Sequence, residues 1–188
     1  MKKWLFVLVA VIVGVAVGTY RIANLEHNKA FFRNGSWTGS KALPLGKDNL
    51  LTTQVSLFAL FALPSEEAIY LFAKRDDKEA LLDAENDYSI QGNVNEIDAK
   101  YWSITAYGKD LYLIPNKKER YSFNNTNLQT DSAGNFTINV SATKQSGNWL
   151  PTADKKRFNL VLRIYKGDKA FIEKLDSISL PQIKRLAK

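Results

Sequence analysis

The chain opens on an uninterrupted apolar run, residues 4–18, held between Met1-Lys2-Lys3 and Thr19-Tyr20-Arg21. No polar position gives the run an exposed face, so it reads as a helix that enters a membrane rather than as one side of a folded domain. From Trp4 to Tyr20 such a helix is roughly 25 Å long, a little less than the ~30 Å hydrocarbon layer. Trp4 and Tyr20 stand at interfacial depth, and Lys2, Lys3 and Arg21 reach outward to absorb the difference. A second reading stays open: Ala16-Val17-Gly18 sets small residues where a signal peptidase cuts, which makes the segment either a retained anchor or a secretory signal. A short basic tail stays inside and a long C-terminal domain is translocated, so the expected address is a single-pass bacterial inner-membrane protein with its C-terminal domain in the periplasm. Gly14 and Gly18 form a GxxxG pair one turn after Ala10. That spacing lets two anchors pack as a homo-oligomer, and it is also ordinary glycine content for a membrane helix.

Beyond the run the pattern changes twice. Residues 21–47 mix polar residues, glycine and isolated aromatics and read as a connector. Asp48 then caps a predicted core helix with Leu51, Val55, Phe58 and Ala62 on one face and a stop at Pro64. After Pro64 the apolar positions alternate in short runs broken by turn residues, which predicts strands. These are 68–73, 101–107, 111–114, a hairpin of 127–130 and 135–141 about the turn 131–134, and 158–165. In the hairpin Phe136, Ile138 and Val140 share a face. A short helix near 168–175 and a tail through Pro181 end the chain. Short strands without intervening helices predict a mainly β fold, an antiparallel β-sandwich. The expected organisation is an anchor at 1–20, the connector at 21–47, and a sandwich domain with an N-terminal core helix at 48–188.

Composition narrows the chemistry. In 188 residues there is no cysteine and one histidine, His27. Disulfides, thiol catalysis and zinc or iron sites built from several Cys or His ligands are excluded. A Ser-His-Asp triad would have to use His27, just past the membrane exit. Asp83, Glu85 and Asp87 have the alternation of a calcium loop, but Tyr88 stands where its turn glycine belongs and Val94 where its bidentate Glu belongs. No GxxxxGK[ST] or GxGxxG follows a predicted strand, so neither metal nor cofactor is expected. The net charge of +7 is carried mostly by the half of the chain after Lys100. A membrane-anchored extracytoplasmic domain makes nucleic acid an unexpected partner for that charge.

The second half resembles the bacterial family known as domain of unknown function 1214. The residues that carry the likeness are Tyr101-Trp102-Ser103-Ile104-Thr105-Ala106-Tyr107, Leu113-Ile114-Pro115-Asn116, Arg120-Tyr121-Ser122, Asn148-Trp149-Leu150-Pro151, Phe158-Asn159-Leu160-Val161-Leu162-Arg163-Ile164-Tyr165 and Leu180-Pro181-Gln182-Ile183-Lys184-Arg185. The resemblance implies a jelly-roll-like β-sandwich in exported or membrane-attached bacterial proteins. Many relatives carry a companion domain of unknown function 1254 upstream, which is not expected here. The likeness implies fold and address rather than mechanism.

Two kinds of site follow from the remaining residues. Basic and aromatic side chains adjoin at Lys117-Lys118, Arg120, Tyr121 and Phe123, and Lys155-Lys156-Arg157 lies between Trp149 and Phe158. On the last strand Arg163 and Tyr165 face away from Phe158, Leu160, Leu162 and Ile164. A groove of Arg120, Tyr121, Asn148, Trp149, Arg163 and Tyr165 is expected to hold an anionic lipid headgroup or acidic glycan, with Arg supplying charge and the aromatic faces stacking. Against it stands a structural reading, in which Trp149 and Tyr165 pack the sandwich and Arg163 pairs with a carboxylate. The alternative activity is metal-independent glycoside hydrolysis by two carboxylates drawn from Asp110, Glu119, Asp131 and Asp154.

Overall fold

A computed structural model of the chain describes residues 2–23, 30–41, 49, 52–53, 63–152 and 157–187. Helix α1 covers Lys2–Ala23. At 1.5 Å per residue its 22 residues rise roughly 33 Å; the ends beyond the apolar run carry Lys2, Lys3 and Arg21, so the apolar stretch itself stays a little short of the ~30 Å hydrocarbon layer. Its stretch Lys3–Arg21 is long and apolar enough to cross a membrane, and none of it is buried against the rest of the protein.

Ten strands follow among the described residues: β1 (Phe32–Asn34), β2 (Trp37–Gly39), β3 (Ala68–Ala73), β4 (Tyr88–Asn93), β5 (Ala99–Gly108), β6 (Ser122–Asn124), β7 (Asn135–Ser141), β8 (Asn148–Pro151), β9 (Phe158–Gly167) and β10 (Gln182–Arg185). They form a six-stranded sheet, β1-β2-β3-β9-β5-β6, and a four-stranded sheet, β10-β4-β7-β8. Period-two alternation turns one face of each sheet inward. Phe158, Leu160, Leu162 and Ile164 of β9 and Trp102, Ile104 and Ala106 of β5 are buried on one side, facing Ile90, Phe136, Ile138, Val140 and Ile183 on the other. Trp102 lies 5.6 Å from Phe136, and Tyr88 meets Phe158 edge-on at 5.6 Å, so aromatic contacts join the two layers. The fold is mainly β, with the two sheets sharing one core.

Several elements differ in detail from the sequence pattern. The predicted hairpin keeps its turn, with Gly134 at φ 85°, but 127–130 is not a strand. Asn148 captures the backbone N–H and carbonyl of Gln129 with its amide, so a side chain satisfies the groups a partner strand would have used. The neighbours of β7 are instead β4, antiparallel, and β8, parallel. Residues 111–114 form a loop because Leu111 takes a left-handed φ of 63°, outside strand geometry; only Leu113 bridges back, to Tyr107. Strand β10 occupies the predicted tail. Strands β1 and β2 fall within the predicted connector and extend the six-stranded sheet. The short helix is Lys169–Glu173, capped by the Asp168 side chain accepting from the Ala170 and Phe171 N–H groups. Of the predicted core helix only Asn49, Thr52 and Thr53 are described, all helical; Asp48, Leu51, Val55, Phe58 and Ala62 lie outside the described residues.

Candidate functional site

The outward face of the six-stranded sheet is built by register. Arg163 of β9 lies between Tyr70 of β3 and Ser103 of β5, and Tyr165 lies between Ala68 and Tyr101. The Tyr101 and Tyr165 rings are 5.7 Å apart. From the centre of this face Arg163 extends to Tyr107, donating from Nη2 to the phenol oxygen, with its guanidinium carbon 5.3 Å from the ring centroid. Ser103 and Thr105, also on this face, are buried. Burial pushes the Tyr70 hydroxyl above its ordinary pKa; a hydrogen bond with the Leu63 backbone and, less, the Arg163 charge oppose the shift, and the neighbouring Tyr165 adds to it.

Arg163 is the unusual member of this group. It is half-buried, its Nε is buried without a hydrogen-bond partner, and no described carboxylate pairs with it. Its described contacts are with one phenol, which offers an acceptor and a π face but no negative charge. Among the described residues a guanidinium so placed has unspent donor capacity and no compensating charge, which fits it to receive a carboxylate or phosphate oxygen.

The other residues expected in the groove stand elsewhere. Arg120 is exposed where β6 and β8 approach, with Nη1 donating to the Trp149 carbonyl at 3.4 Å and its guanidinium carbon 5.3 Å from the Phe123 ring centroid. Tyr121 sits beside it, its carbonyl accepting from the Ala106 N–H. Trp149 is buried and donates from its indole to the Ser141 carbonyl. Asn148 is buried and bonded to Gln129 and Thr137 on both sides of its amide. Arg120, Tyr121 and Trp149 therefore gather at one rim and Arg163 and Tyr165 on the outer face of the six-stranded sheet, while Asn148 cross-links the chain. The sequence pattern does not assign Tyr70 and Tyr107 to the site. The alternation of Tyr107 with Ala106 in the 101–107 run is the one signal that points to its outward face.

Two of the candidate carboxylates close their own turns. Asp110 accepts from the Tyr112 N–H. Asp131 accepts from the Ala133 and Asn135 backbones and from the Asn135 side chain, and these bonds, led by that side chain, hold its carboxyl below the usual range. Glu119 is exposed with φ 51°, and Asp154, Lys155 and Lys156 lie outside the described residues. Arg157 pairs with Asp83 at 3.4 Å. No group of three or more Asp, Glu or His among the described residues is placed to hold a metal ion.

A family model described as "Protein of unknown function (DUF1214)" matches residues 67–169, which takes in β3 through β9 and so both Tyr70 and Arg163. Among solved structures, the VPA0106 protein from Vibrio parahaemolyticus is similar with a TM-score of 0.62 and 25% identity, over 74% of this chain and 36% of that one. An uncharacterized protein from Burkholderia cenocepacia matches with a TM-score of 0.46 and 19% identity, over 90% of this chain and 40% of that one. The chain thus spans well under half the length of either. No curated protein matches it.

Proposed function

The chain belongs to the DUF1214 family, and from that membership, the apolar helix and the charge on the outer sheet face we propose a membrane-anchored binding module for an anionic component of the bacterial envelope. In this reading α1 is retained in the inner membrane and the two-sheet domain lies in the periplasm. Arg163 receives the anionic oxygen of a lipid phosphate or of an acidic sugar carboxylate. Tyr70, Tyr101, Tyr107 and Tyr165 form the surrounding wall, with hydroxyls for hydrogen bonding and ring faces for stacking. Arg120, Tyr121 and Trp149 form a second basic and aromatic contact at the β6–β8 rim.

The observation that carries the reading is the half-buried guanidinium of Arg163 with no carboxylate partner among the described residues. Holding a charge partly out of water is costly; an arriving anion offsets that cost. Two-carboxylate hydrolysis gains no comparable support, because Asp110 and Asp131 are engaged in their own turns.

The test is titration of the full chain in phosphatidylcholine nanodiscs with glycerol 1-phosphate and, separately, with digalacturonate; the tighter of the two identifies the source of the anion. Arg163→Ala is expected to weaken the better ligand by about 10- to 100-fold, the range for a hydrogen bond to a charged group, while Arg163→Lys recovers part of it. An Arg163→Ala protein that melts normally and binds both probes like the parent would overturn the assignment.

A further inference from the structure

The other sheet carries a second site of different chemistry. A shallow, open cleft of about 400 Å³ lies beside β7 where β8 has not yet begun to pair, bordered by the 129–131 segment, the outward side chains of β7 and the turn into β8. This is toward the small end of ligand sites, enough for roughly one or two sugar rings. Such sites are usually mostly apolar; this one is not. Gln129, Thr130, Thr137, Asn139 and Ser146 present amides and hydroxyls, and Asp131 is the one charged side chain among the described lining residues.

The cleft is built on a locked frame. Asn148, buried, ties Gln129 to Thr137 through three hydrogen bonds. Asn135 donates to Asp131 Oδ2 and accepts from the Asn93 side chain. The side chains of Gln129, Thr130, Thr137 and Ser146, by contrast, make no hydrogen bond to any described residue, and Asn139 uses only its Nδ2, toward the Ser146 carbonyl. The frame is therefore satisfied internally while donors and acceptors of the wall are left for something else. The adjoining outward face of the sheet continues in kind: Gln182, Gln91 and Thr137 lie in one cross-strand row, and Ser89 sits opposite Asn139 in the next. Ser89 is buried with its hydroxyl unpartnered among the described residues.

An apolar ligand would strand these polar groups, and an anion would meet the ionised Asp131 carboxylate. A cation would find one carboxylate and no second. A ligand that carries hydroxyls around its rim, each able to donate and accept, matches the polar walls, and its C–H face suits Phe136, which also lines the cleft. We propose that this cleft binds a neutral saccharide, with Thr137 and Gln129 as its principal hydrogen-bonding contacts. The site goes beyond the anion-binding reading, lying on the other sheet and taking an uncharged ligand.

Ligand-observed saturation-transfer NMR on the full chain in phosphatidylcholine nanodiscs, which carry no sugar, tests it with N,N′-diacetylchitobiose and maltose. Saturable binding of at least one, with a dissociation constant of about 10 mM or tighter, is expected. The Gln129→Ala/Thr137→Val double variant should weaken it at least about tenfold, and Arg163→Ala should leave it unchanged. No saturable binding of either sugar overturns the proposal. So does a double variant that melts like the parent and binds as well, or loss of sugar binding on Arg163→Ala, which would move the sugar to the opposite sheet.

Discussion

At the scale of single residues, the domain treats its charges in two contrasting ways. Arg163 is held half out of water beside phenols, whereas Asp131 is exposed and its carboxylate is satisfied locally by three donors from Ala133 and Asn135. Bonds to the charged form lower the folded pKa of Asp131 below the usual carboxylate value of 3.8. The sign of the consequence follows by linkage: the unfolded chain takes up the proton first, so this contribution is full above pH 3.8 and is lost as pH falls through the lower folded value. Asp131→Asn keeps the side chain's size but loses the ionised acceptor. It is expected to lower the melting temperature at pH 7, with the gap to the parent narrowing steadily as the pH is taken down below 4. Melting curves by circular dichroism in a series of citrate and phosphate buffers check this. A gap that stays constant across that range would mean that the carboxylate bonds do not distinguish the folded from the unfolded chain.

At the scale of elements, what the sequence pattern could and could not reveal depended on whether the information was local. Strands β5, β7 and β9 are legible because each alternates large apolar residues with others over seven residues or more, and β3 because it is a short apolar run. Strand β4 is hidden because its inward positions run Tyr88, Ile90, Gly92. The glycine ends the apolar alternation just where it is structurally required. At Gly92 an added Cβ would lie 2.8 Å from Phe136 Cζ and 3.3 Å from Pro181 Cβ, so the empty position is where the Phe136 ring rests on its way to Trp102. Gly92→Ala is expected to cost about 1–3 kcal/mol in urea unfolding, the usual range for overfilling a packed core. In a Phe136→Leu background the added penalty should fall below half, since the obstructing ring carbon is gone. Equal penalties in both backgrounds would show that backbone conformation, not the ring, sets the requirement. The site follows the same rule. Arg163 and Tyr165 are placed on an outward face by period two alone, but their neighbours Tyr70 and Tyr101 come from cross-strand register. Register joins segments far apart in the chain, and no local pattern encodes it. Arg120 and Trp149 look adjacent to the same groove only until the sheets are assembled.

At the scale of the whole molecule, the described residues divide into an apolar helix and a two-sheet domain with a core of its own. Helix α1 leaves Trp4, Phe6, Leu8 and Ile12 exposed along its length, and none of its apolar stretch is buried against the sheets. Such a surface is untenable in water yet complete in lipid. The sandwich closes its core without α1, with aromatic contacts from both sheets and Trp37 of β2 donating its indole N–H to the Pro181 carbonyl at the far end of the chain. In the proposed anchor reading, deleting residues 2–23 should move the protein from the membrane to the soluble fraction while the melting temperature of the β domain changes by less than about 3 °C, under 1 kcal/mol for a domain of this size. A larger fall would mean that the helix packs on the sheets. Which side the domain occupies is read separately in the intact protein, where the absence of native cysteine makes a single Lys144→Cys reporter clean. Lys144 is exposed between β7 and β8. A membrane-impermeant maleimide added to cells with a permeabilised outer membrane should label it as fully as a permeant one. Labelling by the permeant reagent alone would place the sheets in the cytoplasm, and the anionic partner of Arg163 would then have to be sought on the inner leaflet.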